Sequence, residues 1–211
     1  MEPTVPIPDN DCYEQNYAKT ALEACLGTNL DRRHNFFFIE PTIYIHFSGF
    51  TYHLTNLVTG ECKTFSSLNG GGIGAIAVNR SKKILAIGEK GKNPNIYLYS
   101  MPEHKEFSIL RGGTERGYSF LCFSRNSDKL ISVGNFPDFS IVLWNWASGQ
   151  VLLRAKAFSQ EIYAVRFSDT SDDIICTAGM AHIKFWKIAN TFTGLKQKAR
   201  SASSVLSSFP I

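Results

Sequence analysis

Five histidines and five cysteines are the side chains of this 211-residue chain best suited to binding a metal or transferring protons. The histidines occupy positions 34, 46, 53, 104 and 182, and the cysteines occupy positions 12, 25, 62, 122 and 176. Zinc sites use closely spaced ligands such as Cys-x-x-Cys, and the sequence contains no such spacing. A Gly-x-Ser-x-Gly nucleophile motif is also absent. The sequence therefore favours a non-enzymatic protein without metal or cofactor, whose cysteines stay reduced inside the cell.

A glycine-rich stretch, Gly70-Gly71-Gly72-Ile73-Gly74, is similar to the loops that hold phosphate groups. In those loops, a helix follows the glycines and its N-terminal amides face the phosphate. Here the following residues, Ile76-Ala77-Val78, are typical of a strand. We therefore interpret the stretch as a turn between two structural units, and we expect no small-molecule substrate.

The predicted strands around these residues repeat with a period of about 45 residues. In each repeat, a second strand ends at a glycine and a third strand ends at an aromatic residue. The glycines are Gly88, Gly134 and Gly179, and the aromatic residues are Tyr99, Trp144 and Trp186. A period of roughly 40–45 residues with this strand order is typical of the blades of a WD40 β-propeller.

Five residues match the hydrogen-bond network found in WD40 repeats. In that network, a tryptophan of the third strand bonds with a Ser or Thr of the second strand and with an Asp in the intervening turn. The third repeat has Ser132, Asp138 and Trp144, and the fourth has Thr177 and Trp186 but Met180 in place of the acid. We interpret these residues as stabilising the fold, because bulky aromatic side chains fill the space between blades.

The chain divides into a lead-in at residues 1–30, a propeller region at residues 31–197 and a Ser-rich tail, predicted to be disordered, at residues 198–211. The blades are predicted at residues 31–66, 72–110, 118–157 and 162–197, the first being degenerate and the last having a weak or missing outer strand. This organisation predicts an all-β fold, a partial WD40 propeller of about three and a half to four blades whose ring is incomplete. An open ring leaves strands unpaired, so the isolated chain is expected to self-associate.

The net charge of +4 arises mainly near the C-terminus. After Asp173 the chain has no acidic residue, and its bases are Lys184, Lys187, Lys196, Lys198 and Arg200. Aromatic residues do not alternate with these bases, so a nucleic-acid partner is not indicated. No apolar run approaches the roughly 18 residues that span a bilayer, so membrane association is not expected.

Several segments that propeller packing does not dictate are similar to the cilia- and flagella-associated protein 44 family of WD40 proteins. They are residues 31–35 (DRRHN), 72–74 (GIG), 89–94 (EKGKNP), 110–115 (LRGGTE), 156–161 (KAFSQE), 182–186 (HIKFW) and 191–196 (TFTGLK). The resemblance covers roughly residues 24–197, the N-terminal part of that family's first propeller. It implies a cytoplasmic, cytoskeletal scaffold of the ciliary or flagellar axoneme, needed for axoneme organisation and motility.

The resemblance also implies protein partners: subunits of an axonemal tether, inner-arm dynein and the doublet microtubule. Rigid blades carry function on variable loops. The candidate contact residues are therefore Arg32, Arg33, Lys90, Lys92, Arg111, Thr114, Glu115 and Arg116. The alternative is a cytosolic WD40 adaptor that binds peptides or proteins. An enzyme on a propeller scaffold would need convergent acids or histidines, and the sequence does not supply them.

Overall fold

The computed structural model describes residues 34–201, apart from residue 127, residues 157–160, residue 181 and residues 192–193. The described residues form sixteen β-strands and contain no helix, and hence none that could cross a membrane. The strands make four antiparallel sheets of four, and the spatial order within each sheet follows the sequence order. The predicted all-β, partial-propeller fold is confirmed.

Each sheet is one blade. Blade one contains β1 (Phe36–Glu40), β2 (Ile43–Ser48), β3 (Thr51–Asn56) and β4 (Cys62–Ser66). Blade two contains β5 (Ile73–Asn79), β6 (Ile84–Glu89), β7 (Ile96–Ser100) and β8 (Lys105–Leu110). Blade three contains β9 (Tyr118–Phe123), β10 (Lys129–Gly134), β11 (Ser140–Asn145) and β12 (Gln150–Lys156). Blade four contains β13 (Ile162–Phe167), β14 (Ile174–Gly179), β15 (His182–Thr191) and β16 (Gly194–Ser201).

The hydrophobicity of each strand reflects how many of its faces are covered. The middle strands β6 and β11 are buried along nearly their whole length, because each lies in a sheet with a neighbouring blade on both sides. Their sequences, ILAIGE and SIVLWN, are accordingly almost continuous apolar runs. The outer strands β8 and β12 have exposed polar positions, as expected for strands that face solvent.

Three apolar clusters hold the blades together. One cluster joins blades one and two and includes Ile45, Phe47 and Tyr97. A second joins blades two and three, and a third joins blades three and four. Within the described residues, no such cluster joins blade four to blade one, and the ring is open.

Two details differ from the sequence-based expectation. Blade one, predicted to be degenerate, is a complete four-stranded sheet with continuous pairing of β2 and β3. The outer strand of blade four, predicted to be weak or missing, pairs with β15 from Gly194 to Ser201. The predicted boundary between residues 197 and 198 therefore lies inside β16. The polar residues of this strand gave little β signal, because its backbone ladder with β15 does not depend on apolar side chains. The lead-in and residues 202–211 lie outside the described residues.

Candidate protein-docking surface

The loops that carry most of the predicted contact residues lie at one end of the blades. We call this end the loop face and define it by residues 67–72, 90–95, 111–117 and 135–139. Its loops are joined by backbone hydrogen bonds: the amide of Lys90 donates to Gly72 O over 2.9 Å, and the amide of Gly91 donates to Arg116 O over 3.0 Å. A third bond, from the amide of Asn135 to Gly117 O, spans 2.8 Å. These bonds fix the loops relative to each other.

The predicted contact residues differ in their accessibility. Lys92, Arg111, Glu115 and Arg116 are exposed, and Lys90 is half-buried. Thr114 is only 5% exposed. Its side chain is therefore directed into the fold and is not available to a partner, in contrast to the expectation from sequence. Arg32 and Arg33 lie outside the described residues.

Thr114 belongs to a polar cluster at the base of the loop face. Its hydroxyl donates to Asp138 Oδ1 over 2.8 Å, and Ser140 Oγ lies 2.8 Å from Asp138 Oδ2. Ser140 Oγ also lies 2.8 Å from the carbonyl oxygen of Gly113. Asp138 thus connects the loop between β8 and β9 to the start of β11. Sequence analysis singled out Asp138 but missed Ser140 and this role of Thr114.

The expected tryptophan network is divided into two parts. Trp144 Nε1 donates to Ser132 Oγ over 2.8 Å, with both residues buried, whereas Asp138 bonds with Thr114 and Ser140. The single network predicted for blade three therefore has a different connectivity. Asp138 accepts a hydrogen bond from Thr114 of the β8–β9 loop, while Trp144 bonds with Ser132. In blade four, Trp186 Nε1 donates to Thr177 Oγ1 over 2.9 Å.

We expect Thr114→Val to lower the free energy of unfolding by about 1–2 kcal/mol, because Asp138 loses a hydrogen-bond donor while the side-chain shape is kept. Urea unfolding followed by tryptophan fluorescence would measure the change. Glu115→Gln is the matched control, since this neighbouring residue is exposed, and it should change stability by less than about 0.5 kcal/mol. Equal effects of the two substitutions would contradict the role of Thr114.

Glu89 is a buried acid whose structural role sequence analysis did not identify. It is 1% exposed, and its carboxylate accepts hydrogen bonds from the backbone amides of Leu68 and Asn69. Burial raises the pKa of Glu89, and the two amide donors oppose this increase. The residue anchors the connection between blades one and two. Its sequence signal is an acid at the end of an otherwise apolar strand.

The loop face also contains an open groove of about 350 Å³. It is lined by residues of the β8–β9 loop, by Asp138 and by the outer-strand bases Arg154 and Lys156. Arg154 donates to the carbonyl oxygens of Gly112 and Gly113. No group of three or more potential metal ligands occurs among the described residues. The groove therefore offers hydrogen bonding and positive charge.

Bases outnumber acids around this groove and on the loops beside it. The bases are Lys90, Lys92, Arg111, Arg116, Arg154 and Lys156, and the acids are Glu89, Glu115, Asp138 and Glu161. Two of the acids, Glu89 and Asp138, are hydrogen-bonded into the fold. The charge presented to a partner is consequently positive, which favours an acidic protein surface.

Comparisons with known proteins identify relatives from cilia and flagella. No family model matches the chain. It is 42% identical over 177 residues to cilia- and flagella-associated protein 44 of Chlamydomonas reinhardtii. This alignment covers 81% of this chain and 10% of the relative. It is 37% identical over 175 residues to the mouse protein of the same name, in an alignment that covers 83% of this chain and 10% of the relative.

A weaker relative is human echinoderm microtubule-associated protein-like 1, which is 26% identical over 88 residues, covering 41% of this chain and 11% of the relative. The resemblance to cilia- and flagella-associated protein 44 is thus confirmed over about four fifths of the chain. The chain spans about a tenth of the length of these relatives.

Proposed function

We propose that this chain is a non-enzymatic scaffold of cilia and flagella, in which rigid WD40 blades present the loop face to protein partners. The observation that carries the proposal is the 42% identity to a cilia- and flagella-associated protein, combined with an exposed basic surface on hydrogen-bonded loops. The chain would be located in the axoneme, which is part of the cytoskeleton. Its partners would be proteins, and binding would need no cofactor.

The specific role that we propose is in the tether that links inner-arm dynein to the doublet microtubule. Exposed bases such as Arg111 and Arg116 suit the acidic surfaces of such partners. Because the loops are joined to each other by backbone hydrogen bonds, little conformational entropy is lost when a partner binds. A tether that transmits force between two structures benefits from such a rigid contact. Loss of this contact would disturb axoneme organisation and flagellar motility.

Cosedimentation of the purified chain with salt-extracted axonemes tests the proposal. We expect binding that weakens as ionic strength rises, because exposed charges are screened. The double variant Arg111→Glu/Arg116→Glu should lower the affinity about fivefold to tenfold. The control Lys63→Glu/Lys105→Glu changes the charge by the same amount away from the loop face and should bind as the wild type does.

The outcomes separate the general role from the specific one. Failure of the wild-type chain to bind axonemes would contradict a scaffold role there. Equal binding by both double variants would contradict the loop face as the contact. Cross-linking mass spectrometry on the bound sample would identify the partner, and cross-links to neither dynein subunits nor tubulin would contradict the tether.

A cytosolic adaptor that binds peptides is the second candidate. The groove beside Arg154 and Lys156 favours it, since its volume of about 350 Å³ suits a short acidic segment. In a pull-down, this function predicts peptide ligands without axonemal proteins. If an acidic peptide displaced such a ligand from the groove, and the chain did not bind axonemes, the adaptor would be favoured over the scaffold.

A further inference from the structure

The hairpin between β10 and β11 presents an exposed aromatic ring at the loop face. Phe136 is 71% exposed, and among the large apolar side chains of the described residues only Val58 is more accessible. Blade three packs on blade two and on blade four, so the exposure of this ring comes from the shape of the hairpin. Aromatic side chains are enriched in protein interfaces relative to the rest of the surface. The ring is therefore a candidate anchor for a protein partner.

The exposed ring is held in place by the rest of the hairpin. The amide of Phe139 donates to Asn135 O over 3.2 Å, and the amide of Asn135 donates to Gly117 O over 2.8 Å. The ring of Phe139 lies edge-on to that of Phe136, with centroids 6.1 Å apart. Phe139 has a φ of 40°, in the left-handed region that bulky residues rarely adopt. Such strain persists only where the surrounding structure enforces it, and it is concentrated at functional sites.

The same hairpin is joined to the β8–β9 loop, which carries two exposed arginines. The hydroxyl of Thr114 in that loop donates to Asp138 Oδ1 in the hairpin over 2.8 Å. Arg111 and Arg116 of the loop are both exposed. The aromatic ring of Phe136 and the two guanidinium groups thus belong to one hydrogen-bonded unit. A partner that contacts this unit meets an apolar surface and positive charge together.

The groove of about 350 Å³ belongs to this unit as well, because Thr114 and Asp138 are among its lining residues. Its lining also includes the exposed bases Arg154 and Lys156. Glu115 is the exposed acid among the lining residues, whereas Asp138 is hydrogen-bonded within the fold. The groove therefore extends the positive charge and adds hydrogen-bonding groups, which suit a peptide backbone and carboxylates better than a lipid surface.

We propose that Phe136 is the apolar anchor of the loop face and that the partner is an acidic protein segment with an apolar side chain. This inference rests on the proposed function, in which the loop face is the contact. The carboxylates of the segment pair with Arg111, Arg116 and the bases of the groove, because complementary charge guides association. Its apolar side chain packs on the ring of Phe136, as in interfaces where a few aromatic residues carry most of the affinity.

Fluorescence anisotropy with two labelled synthetic peptides tests this recognition on the full chain. Both peptides are rich in glutamate, and one has a central pair of leucines where the other has serines. We expect the wild type to bind the leucine peptide about tenfold more tightly. Phe136→Ser should abolish this preference, and Phe136→Leu should retain most of it. The control Val58→Ser removes a side chain that is 77% exposed at the opposite end of the blades, and it should keep the preference.

The arginines should act differently from the ring. Arg111→Glu/Arg116→Glu should weaken the binding of both peptides and reduce its salt dependence, because exposed charges are screened. The tenfold preference for leucine should remain in this variant. Phe136→Ser should leave the salt dependence unchanged. If Phe136→Ser alters the thermal melting of the chain, Phe136→Gln replaces it.

The outcomes separate this inference from the proposed function. Equal binding of the two peptides by the wild type would overturn the anchor, and so would a leucine preference that survives in Phe136→Ser. Binding to phosphatidylserine vesicles that depends on Phe136, without a leucine preference, would indicate a lipid surface instead. Cosedimentation of the wild type and Phe136→Ser with axonemes to the same extent would overturn the anchor and leave the scaffold role intact. A leucine preference that depends on Phe136, in a chain that does not bind axonemes, would support the anchor and contradict the scaffold.

Discussion

Trp144→Ala is expected to lower the free energy of unfolding by about 3–5 kcal/mol, since it removes a large buried side chain and leaves a cavity. Trp144 is 1% exposed and lies in the cluster that joins blades two and three. Its indole also donates to Ser132 Oγ, which is fully buried and would lose this partner. The substitution thus weakens packing between blades and leaves a buried hydroxyl with one hydrogen bond fewer.

Urea unfolding with far-ultraviolet circular dichroism as the signal would measure this loss. Trp144→Phe keeps most of the ring but lacks the N–H donor, so its smaller loss reports mainly on the bond to Ser132. Phe136→Ala is the control for removing an aromatic ring, because Phe136 is 71% exposed and should contribute less than about 0.5 kcal/mol. A loss below about 1 kcal/mol for Trp144→Ala would contradict the packing role of the indole.

The blades could be predicted from sequence because their strands are apolar and recur at a fixed interval. Leu143 and Trp144 lie in a strand that is covered on both faces, so selection for burial leaves a clear pattern. In β16, by contrast, lysine, glutamine and arginine predominate, and the pairing with β15 is made by the backbone. The predicted end of the last blade was therefore four residues too early, at residue 197, while the strand ends at Ser201.

The polar contacts of the candidate site could be predicted only in part. The spacing of Asp138 and Trp144 within one repeat identified both residues. One hydrogen-bond donor to Asp138, however, is Thr114, which is 24 residues away in the sequence and belongs to the preceding connection. Glu89 reaches 20 and 21 residues back to the amides of Asn69 and Leu68. Such contacts depend on how adjacent blades are arranged, and a repeat pattern does not specify side-chain partners between repeats.

The close approach of the inner strands of blades two and three leads to the second large prediction. Gly74 is bulged out of the pairing between β5 and β6, where the register shifts between Ile73 and Ala75. A Cβ atom built on Gly74 would lie 2.0 Å from the backbone oxygen of Tyr118 in β9. No side chain can occupy that position unless one of the two strands moves. Glycine within a strand commonly marks such an approach of another backbone.

Gly74→Ala is therefore expected to destabilise the chain by about 2–3 kcal/mol, at the upper end of the range for overpacking, because the obstacle is backbone and cannot rotate away. Gly117→Ala is the matched control: its added Cβ would first meet Cγ of Lys90, at 3.1 Å, and this flexible side chain can shift. We expect the control to lose less than about 1 kcal/mol. Urea midpoints of the two variants, measured side by side, would test the difference. If Gly74→Ala were as stable as Gly117→Ala, β5 and β9 would lie further apart than the structure places them, and the stacking of blades two and three would have to be revised.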